Sequence, residues 1–172
     1  FYFLIQGSVM FISQPIWVRV VSRIGKKNAY YLASLLWGLG ALSWILAGEG
    51  ETNIEIIARG IFLGTGAGGL LLVGQSMLPD TMQYDFQNSG QRREGILAGV
   101  YTTVEKLSFA IGPSILGLIL GSSGYNASEI TQSDNVISMI YFSAAGFPVI
   151  TLIISCLLMF LYNVDQDTLK EN

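Results

Sequence analysis

The sequence has no histidine and one cysteine, and only 12% of its residues are charged. Without histidine, imidazole acid–base chemistry and histidine-ligated metal centres are excluded. The lone Cys156 cannot close an intrachain disulfide. A soluble domain is about 25% charged. A chain with half that proportion, 51% hydrophobic residues and a mean hydropathy of +0.52 lacks the surface of a water-soluble globule. A net charge of −3 and a pI near 4.8 give no basic footprint for nucleic acid. The opening FYFLIQG has neither a basic n-region nor a small-residue cleavage site, so it does not read as a signal peptide. It begins inside an apolar run, and the expectation is a fragment of a longer polytopic protein.

What is abundant is apolar sequence in membrane-length runs. Five such runs, over residues 1–18, 29–47, 56–77, 95–121 and 136–162, approach the roughly 20 residues a spanning helix needs. The expected fold is therefore an all-α membrane protein with five transmembrane helices. Gln6, Ser13 and Gln14 are polar positions in the first run, and Pro15 should kink it. Gly112-Pro113 should bend the fourth, and Pro148 lies inside the fifth. Trp44 stands where an interfacial belt residue belongs, and Trp37 reads as helix packing. Arg59, one turn inside the third run, is expected to snorkel to the headgroups.

Basic residues fix an expected orientation. Arg19, Arg23, Lys26, Lys27, Arg92, Arg93 and Lys170 fall in the connections after the first and third runs and in the tail. The connections 48–55 and 122–135 hold acids and no Lys or Arg. The positive-inside rule then places the start of the chain outside and its C-terminus in the cytoplasm.

Gly64-Thr65-Gly66-Ala67-Gly68-Gly69 matches G-x-G-x-x-G, but the dinucleotide fingerprint needs a preceding strand and a βαβ unit. Gly60, Gly64 and Gly68 recur every four residues instead, which is a small-residue packing stripe. Gly95/Gly99 and Gly117/Gly121 repeat the spacing. Asn126-Ala127-Ser128 is a glycosylation sequon that matters only in a eukaryote.

Lys106 is the sharpest signal. It lies about 16 Å along a helix counted from Gly95, near the midplane of a ~30 Å hydrocarbon layer. Thr102 and Phe109 share its face, whereas Glu105 points about 100° away. An intramembrane charge is a functional residue by default, with a structural ion pair to another helix as the other reading. Asp80, Asp85, Arg92, Arg93 and Glu94 form a charged cluster between the third and fourth runs. It reads either as a solvated loop or as ion pairs that alternate between two states, with the acids reaching Arg92 and Arg93 or Arg19 and Arg23.

The stretch LPDTMQYDFQNSGQRREGILAGVYTTVEK resembles the signature region of the glycoside–pentoside–hexuronide cation symporters, the melibiose-permease-like branch of the major facilitator superfamily. Trp17-x-Arg19-x-x-x-Arg23-x-Gly25-Lys26-Lys27 resembles the basic loop repeated in each half of that superfamily. The resemblance implies helices eight to twelve of a twelve-helix transporter in the plasma membrane. It implies cation-coupled symport of a sugar, glycoside or hexuronide, by rocking of two halves about a midplane site. It further implies that Lys106 and Thr102 line the central cavity; Tyr101 and Glu105 beside them are also expected to contact substrate, and Asp80, Asp85, Arg92, Arg93, Arg19 and Arg23 are expected to form a cytoplasmic gate. No metal site and no cofactor are implied. The coupling cation, sodium or proton, is expected to bind in the N-terminal half, which is absent and is the expected partner of this one. Sugar-transporting relatives carry a Trp in the tenth helix, where this chain reads GLLLVGQSM without an aromatic. A lysophospholipid or other amphiphile is the alternative cargo. A membrane enzyme lacks a nucleophile–base set here, and a non-transporting scaffold is separated from these by a flux measurement.

Overall fold

The computed structural model describes residues 1–47, 50–129, 131–162 and 164. Lys170 and most of the tail, on which part of the expected orientation rests, lie outside them. Among the described residues the chain is helical: α1 (Tyr2–Ile12), α2 (Gln14–Leu42) with a 3₁₀ extension Ser43–Leu46, α3 (Asn53–Ser89), α4 (Glu94–Ser123), α5 (Asp134–Tyr141) and α6 (Phe147–Met159). Four stretches are long and apolar enough to cross a bilayer: Gln14–Leu46, Asn53–Ser89, Glu94–Ser123 and Asp134–Met159. The all-α membrane class expected from composition is the class observed.

The boundaries differ from those drawn by hydropathy. The basic segment 19–28, expected as a loop, is helical on both sides of Gly25, whose φ of 79° is open to glycine and strained for other residues. Here the chain reverses. Before it, Ile5, Val9 and Met10 meet Gly60, Gly64 and Gly68 in parallel order along α3. After it, Ala33, Trp37 and Gly40 meet Gly69, Gly66 and Leu63 in antiparallel order. The break expected at Pro15 falls at Ser13, with Pro15 in the first turn of α2, where its missing N–H costs no helical bond.

Helix α3 is the spine. A capping box starts it: Thr52 Oγ1 accepts from the Glu55 backbone N–H at 3.4 Å, and Glu55 Oε2 accepts from the Thr52 N–H at 2.7 Å. Its glycines then serve two faces. Gly60, Gly64 and Gly68 admit the first rod, the chain before Gly25; Gly66 admits the second, the part of α2 after it; and Gly69 lies between Trp17 of the first and Ala33 of the second. Close approach of backbones substitutes here for bulky packing, as it does generally in bilayers. Residues 79–89, expected as a polar loop, continue the helix through Pro79 to Ser89. Gly90, at φ 68°, ends it, so the connection to α4 shrinks to residues 90–93. At 37 residues α3 is about 55 Å long, well beyond a hydrocarbon layer of about 30 Å.

Helix α4 runs unbroken through Pro113 and contains no buried residue. Gly95, Gly99, Gly117 and Gly121 have nothing within 4 Å of an added Cβ, so the packing expected of them is not made by the described residues. The last span carries a π-turn at Phe142–Gly146, directly before Pro148. It re-aims the helix: α5 packs on α4, whereas α6 packs on the second rod of α2. Tyr30 Oη and Ser155 Oγ share a 2.5 Å hydrogen bond across that seam. Lys27 Nζ donates to the carbonyls of Phe160 and Tyr162 at 3.2 and 2.9 Å, closing the free C-terminal end of α6 with a positive charge.

Candidate functional site

The open flank of α4 carries the mid-helix charges Glu105 and Lys106. Thr102 and Lys106 line one shallow depression with Ala98, Gly99, Thr103 and Leu107. Tyr101 and Glu105 line a second with Val104, Ser108 and Phe109. The one-residue offset between Glu105 and Lys106 puts the acid and the base on neighbouring faces. Lys106 is exposed, and its ammonium lies 6.0 Å from the Phe109 ring centroid. Neither Lys106 nor Glu105 has an ion-pair partner among the described residues. A polar group in hydrocarbon must be satisfied somewhere. This face of α4 is therefore built to meet a ligand, water or another part of the protein.

The charged cluster at the other end of α3 separates into distinct pairs. Arg93 grips Asp85 through Nη2 at 2.6 Å and Nε at 3.1 Å, a two-pronged bond that clips the α3–α4 turn. Asp80 pairs with Lys26 of the second rod at 2.5 Å, and the same ammonium donates to the Ser76 carbonyl at 2.9 Å. Arg92 stands over the Phe86 ring and 3.7 Å from Glu94, well exposed. Among the described residues Arg19 reaches the Pro15 carbonyl of its own helix, at 3.5 Å, and no acid. Arg23 is exposed and makes no ion pair among the described residues. The structure thus brings Asp85 to Arg93 but brings neither acid to Arg19 or Arg23. Lys26 is the cation that sequence reasoning left without a partner. The signal was the Gly25 reversal, which turns the following ammonium back onto α3.

At the opposite end, Arg59 does not snorkel. It is 8% exposed. Its guanidinium donates to both Glu51 carboxylate oxygens at 2.7 and 2.9 Å, to Ser43 Oγ at 2.9 Å and to the Ser43 carbonyl at 3.1 Å. The Trp44 ring stacks over it at 4.4 Å. The planar fork finds an acid in the preceding loop and meets both its oxygens, the geometry a guanidinium matches. Arg59 and Asp80 are 21 residues apart, about 30 Å along α3. Two ionic anchors therefore bracket one membrane thickness of apolar, glycine-rich helix.

The Arg59 bonds hold the Glu51 carboxyl below its ordinary value of 4.5. A carboxyl depressed on folding adds stability that is fully present above its unfolded value and is lost as pH falls through the folded one. Glu51→Gln is therefore expected to lower the melting temperature of the detergent-solubilised full-length protein at neutral pH. The gap from wild type should shrink as the buffer is taken below the depressed carboxyl value. A gap constant with pH would show that the pair carries no charge-dependent stability.

These elements define an integral membrane protein of major-facilitator type. A family model described as MFS/sugar transport protein matches residues 1–166. The chain belongs to that family, in its glycoside–pentoside–hexuronide symporter branch. It is 30% identical over 159 residues to the glucuronide carrier protein homolog of Escherichia coli, covering 92% of this chain and 34% of that protein. It is 33% identical over 150 residues to the isoprimeverose transporter of Lactiplantibacillus pentosus, covering 84% and 30%. It is 25% identical over 163 residues to a sodium-dependent lysophosphatidylcholine symporter of Danio rerio, covering 94% and 30%. The chain thus spans about a third of the length of the curated relatives it matches. These relatives are transporters.

Proposed function

We propose that this chain is the C-terminal part of a cation-coupled secondary transporter that carries a sugar, glycoside or hexuronide by alternating access in the plasma membrane. The observation that carries the reading is the exposed Lys106 ammonium at mid-helix on α4, which has no ion-pair partner among the described residues. The N-terminal half of the same protein would close that face into a cavity between two bundles, which is where such carriers hold substrate. Lys106 and Thr102 would hydrogen-bond the hydroxyl or carboxylate oxygens of the cargo, with Tyr101 and Glu105 on the adjoining wall. An ammonium in a low-dielectric cavity favours an anion, so an acidic sugar suits the site. Two of the relatives, named as a glucuronide carrier homolog and a sulfoquinovose importer, point to the same substrate class.

Asp80, Asp85, Arg92 and Arg93 would work as the cytoplasmic gate. The Lys26–Asp80 and Arg93–Asp85 pairs hold this half together internally, and Arg19 and Arg23, which make no ion pair among the described residues, would pair across to the other half, as would Arg92 on leaving its exposed contact with Glu94. The orientation with this gate inside follows from the basic residues. The coupling ion is sodium or a proton.

A second reading has one specific observation in its favour. The stretch 69–77 of α3 has no aromatic and exposes Leu71, and a relative is named for lysophosphatidylcholine. Uptake by the full-length protein in proteoliposomes separates the two. Labelled glucuronide uptake should be competed by sugars and unaffected by lysolipid. Lysolipid uptake with no sugar uptake would replace the first reading with the second.

A further inference from the structure

The seam between the second rod of α2 and the start of α3 is left open by the described residues. Leu39, Gly40 and Ser43 of the one and Glu55, Arg59 and Phe62 of the other line a groove of about 400 Å³. Its two ends differ in polarity. Arg59 Nε donates to Ser43 Oγ at 2.9 Å, and Glu55 stands one turn before Arg59, so these three mark one end. Phe62 lies about 10 Å further along α3 than Glu55. Leu39 lies about 6 Å from Ser43 in the same direction on the antiparallel rod. Both are half exposed, at 51% and 53%. The groove therefore passes from charge near the end of the span to hydrocarbon toward its middle.

The charged end keeps bonding capacity in hand. Glu55 Oε2 accepts from the Thr52 backbone N–H at 2.7 Å and from Thr52 Oγ1 at 2.9 Å. Glu55 Oε1 accepts from none of the described residues. A guanidinium has five N–H donors. Arg59 spends two on Ser43 and two on Glu51. The remaining one, on Nη1, meets no acceptor among the described residues. One spare acceptor and one spare donor thus lie a helical turn apart, above an apolar slot.

We propose that this groove holds a phospholipid with an ethanolamine headgroup. The ammonium donates to Glu55 Oε1, the phosphate accepts from Arg59 Nη1, and an acyl chain lies along Gly40, Leu39 and Phe62. In a bilayer, a groove that protein leaves open fills with lipid, and charge then sorts the lipids. A headgroup carrying both signs matches a site carrying both. An anionic headgroup sets a second negative charge against Glu55. A choline headgroup has no N–H with which to make a charge-assisted hydrogen bond. The bound lipid bridges α2 and α3 beside the Arg59–Ser43 bonds and stabilises the folded state by binding it. This goes beyond the transport reading, because lipid retention is measured without any cargo.

The test uses the full-length protein purified in detergent and titrated with dioleoyl lipids of ethanolamine, choline or glycerol headgroup. Native mass spectrometry reads lipid retention, and thermal melts are taken on the same samples. Wild type should hold the ethanolamine lipid about tenfold more tightly than the choline lipid, the scale of one charge-assisted hydrogen bond. It should also melt highest with that lipid. Glu55→Gln should bring the ratio near one. Glutamine serves in a capping box as glutamate does, so the melting temperature without lipid should stay close to wild type. Ala58→Phe puts a ring into the same groove and should reduce retention of the ethanolamine lipid to that of the choline lipid. Equal retention of the two lipids by wild type would overturn the proposal. So would a preference that survives Glu55→Gln, which marks a headgroup read elsewhere. A preference that survives Ala58→Phe would do the same, since the lipid then lies outside this groove.

Discussion

Replacing Lys106 with alanine in the full-length protein is expected to reduce transport of an acidic sugar by roughly 10- to 150-fold, with expression unchanged. A hydrogen bond to a charged group contributes about 1.5–3 kcal/mol, and each 1.4 kcal/mol is a factor of ten. Stability should not suffer, because the side chain is exposed on α4 and makes no ion pair among the described residues. Thr102→Ala removes a neutral partner worth about 0.5–1.5 kcal/mol and should cost roughly 2- to 10-fold. Lys106→Arg should fall near the alanine variant, since a planar fork does not occupy the position of a compact ammonium. Uptake kinetics and substrate-binding affinity on the same preparations measure all three. Lys106→Ala with wild-type uptake would remove the residue from the mechanism.

Gly66→Ala is expected to destabilise the protein more than any other single-methyl change in α3. The added carbon would sit 2.5 Å from the Trp37 backbone nitrogen and 2.7 Å from its Cα. Those atoms belong to the second rod of α2 and cannot rotate away. Overpacking of this kind costs typically 1–3 kcal/mol and sometimes more. At Gly68 the new carbon would run into Ser13 Oγ and lie 2.5 Å from the Met10 carbonyl oxygen. Gly74 is the control within the same helix, because nothing lies within 4 Å of its added Cβ. There alanine should be neutral or stabilising by up to about 1 kcal/mol, its helix-propensity advantage over glycine. Thermal melts of the purified full-length variants give the comparison. Equal melting temperatures for Gly66→Ala and Gly74→Ala would mean that α2 and α3 are not in backbone contact.

The fold class was readable because a 51% hydrophobic chain with so few charges must hide its backbone in helices. The spans were readable only to within their ends. Asp80 and Asp85 made residues 79–94 look like a loop, yet polar residues beyond the bilayer are free to continue a helix, and α3 runs on until Gly90 stops it. The stripe of Gly60, Gly64 and Gly68 was legible from its period of four, whereas the contact of Gly66 and Gly69 with α2 shows only when both helices are placed. Arg59 was misread because its partner Glu51 lies eight residues back across the start of α3, outside any helical spacing. Lys106 and Glu105 stood out for the opposite reason: the apolar residues around them made both charges conspicuous.

The second rod of α2 is pinned to α3 twice, by Arg59 on Ser43 near one face of the membrane and by Lys26 on Asp80 near the other. Two parallel bars bolted at both ends cannot shear past each other. In the cycle proposed above, that pair would move as one frame. Helix α4, with no buried residue and clipped to α3 at its start by Arg93 on Asp85, would be the strut that tilts against it.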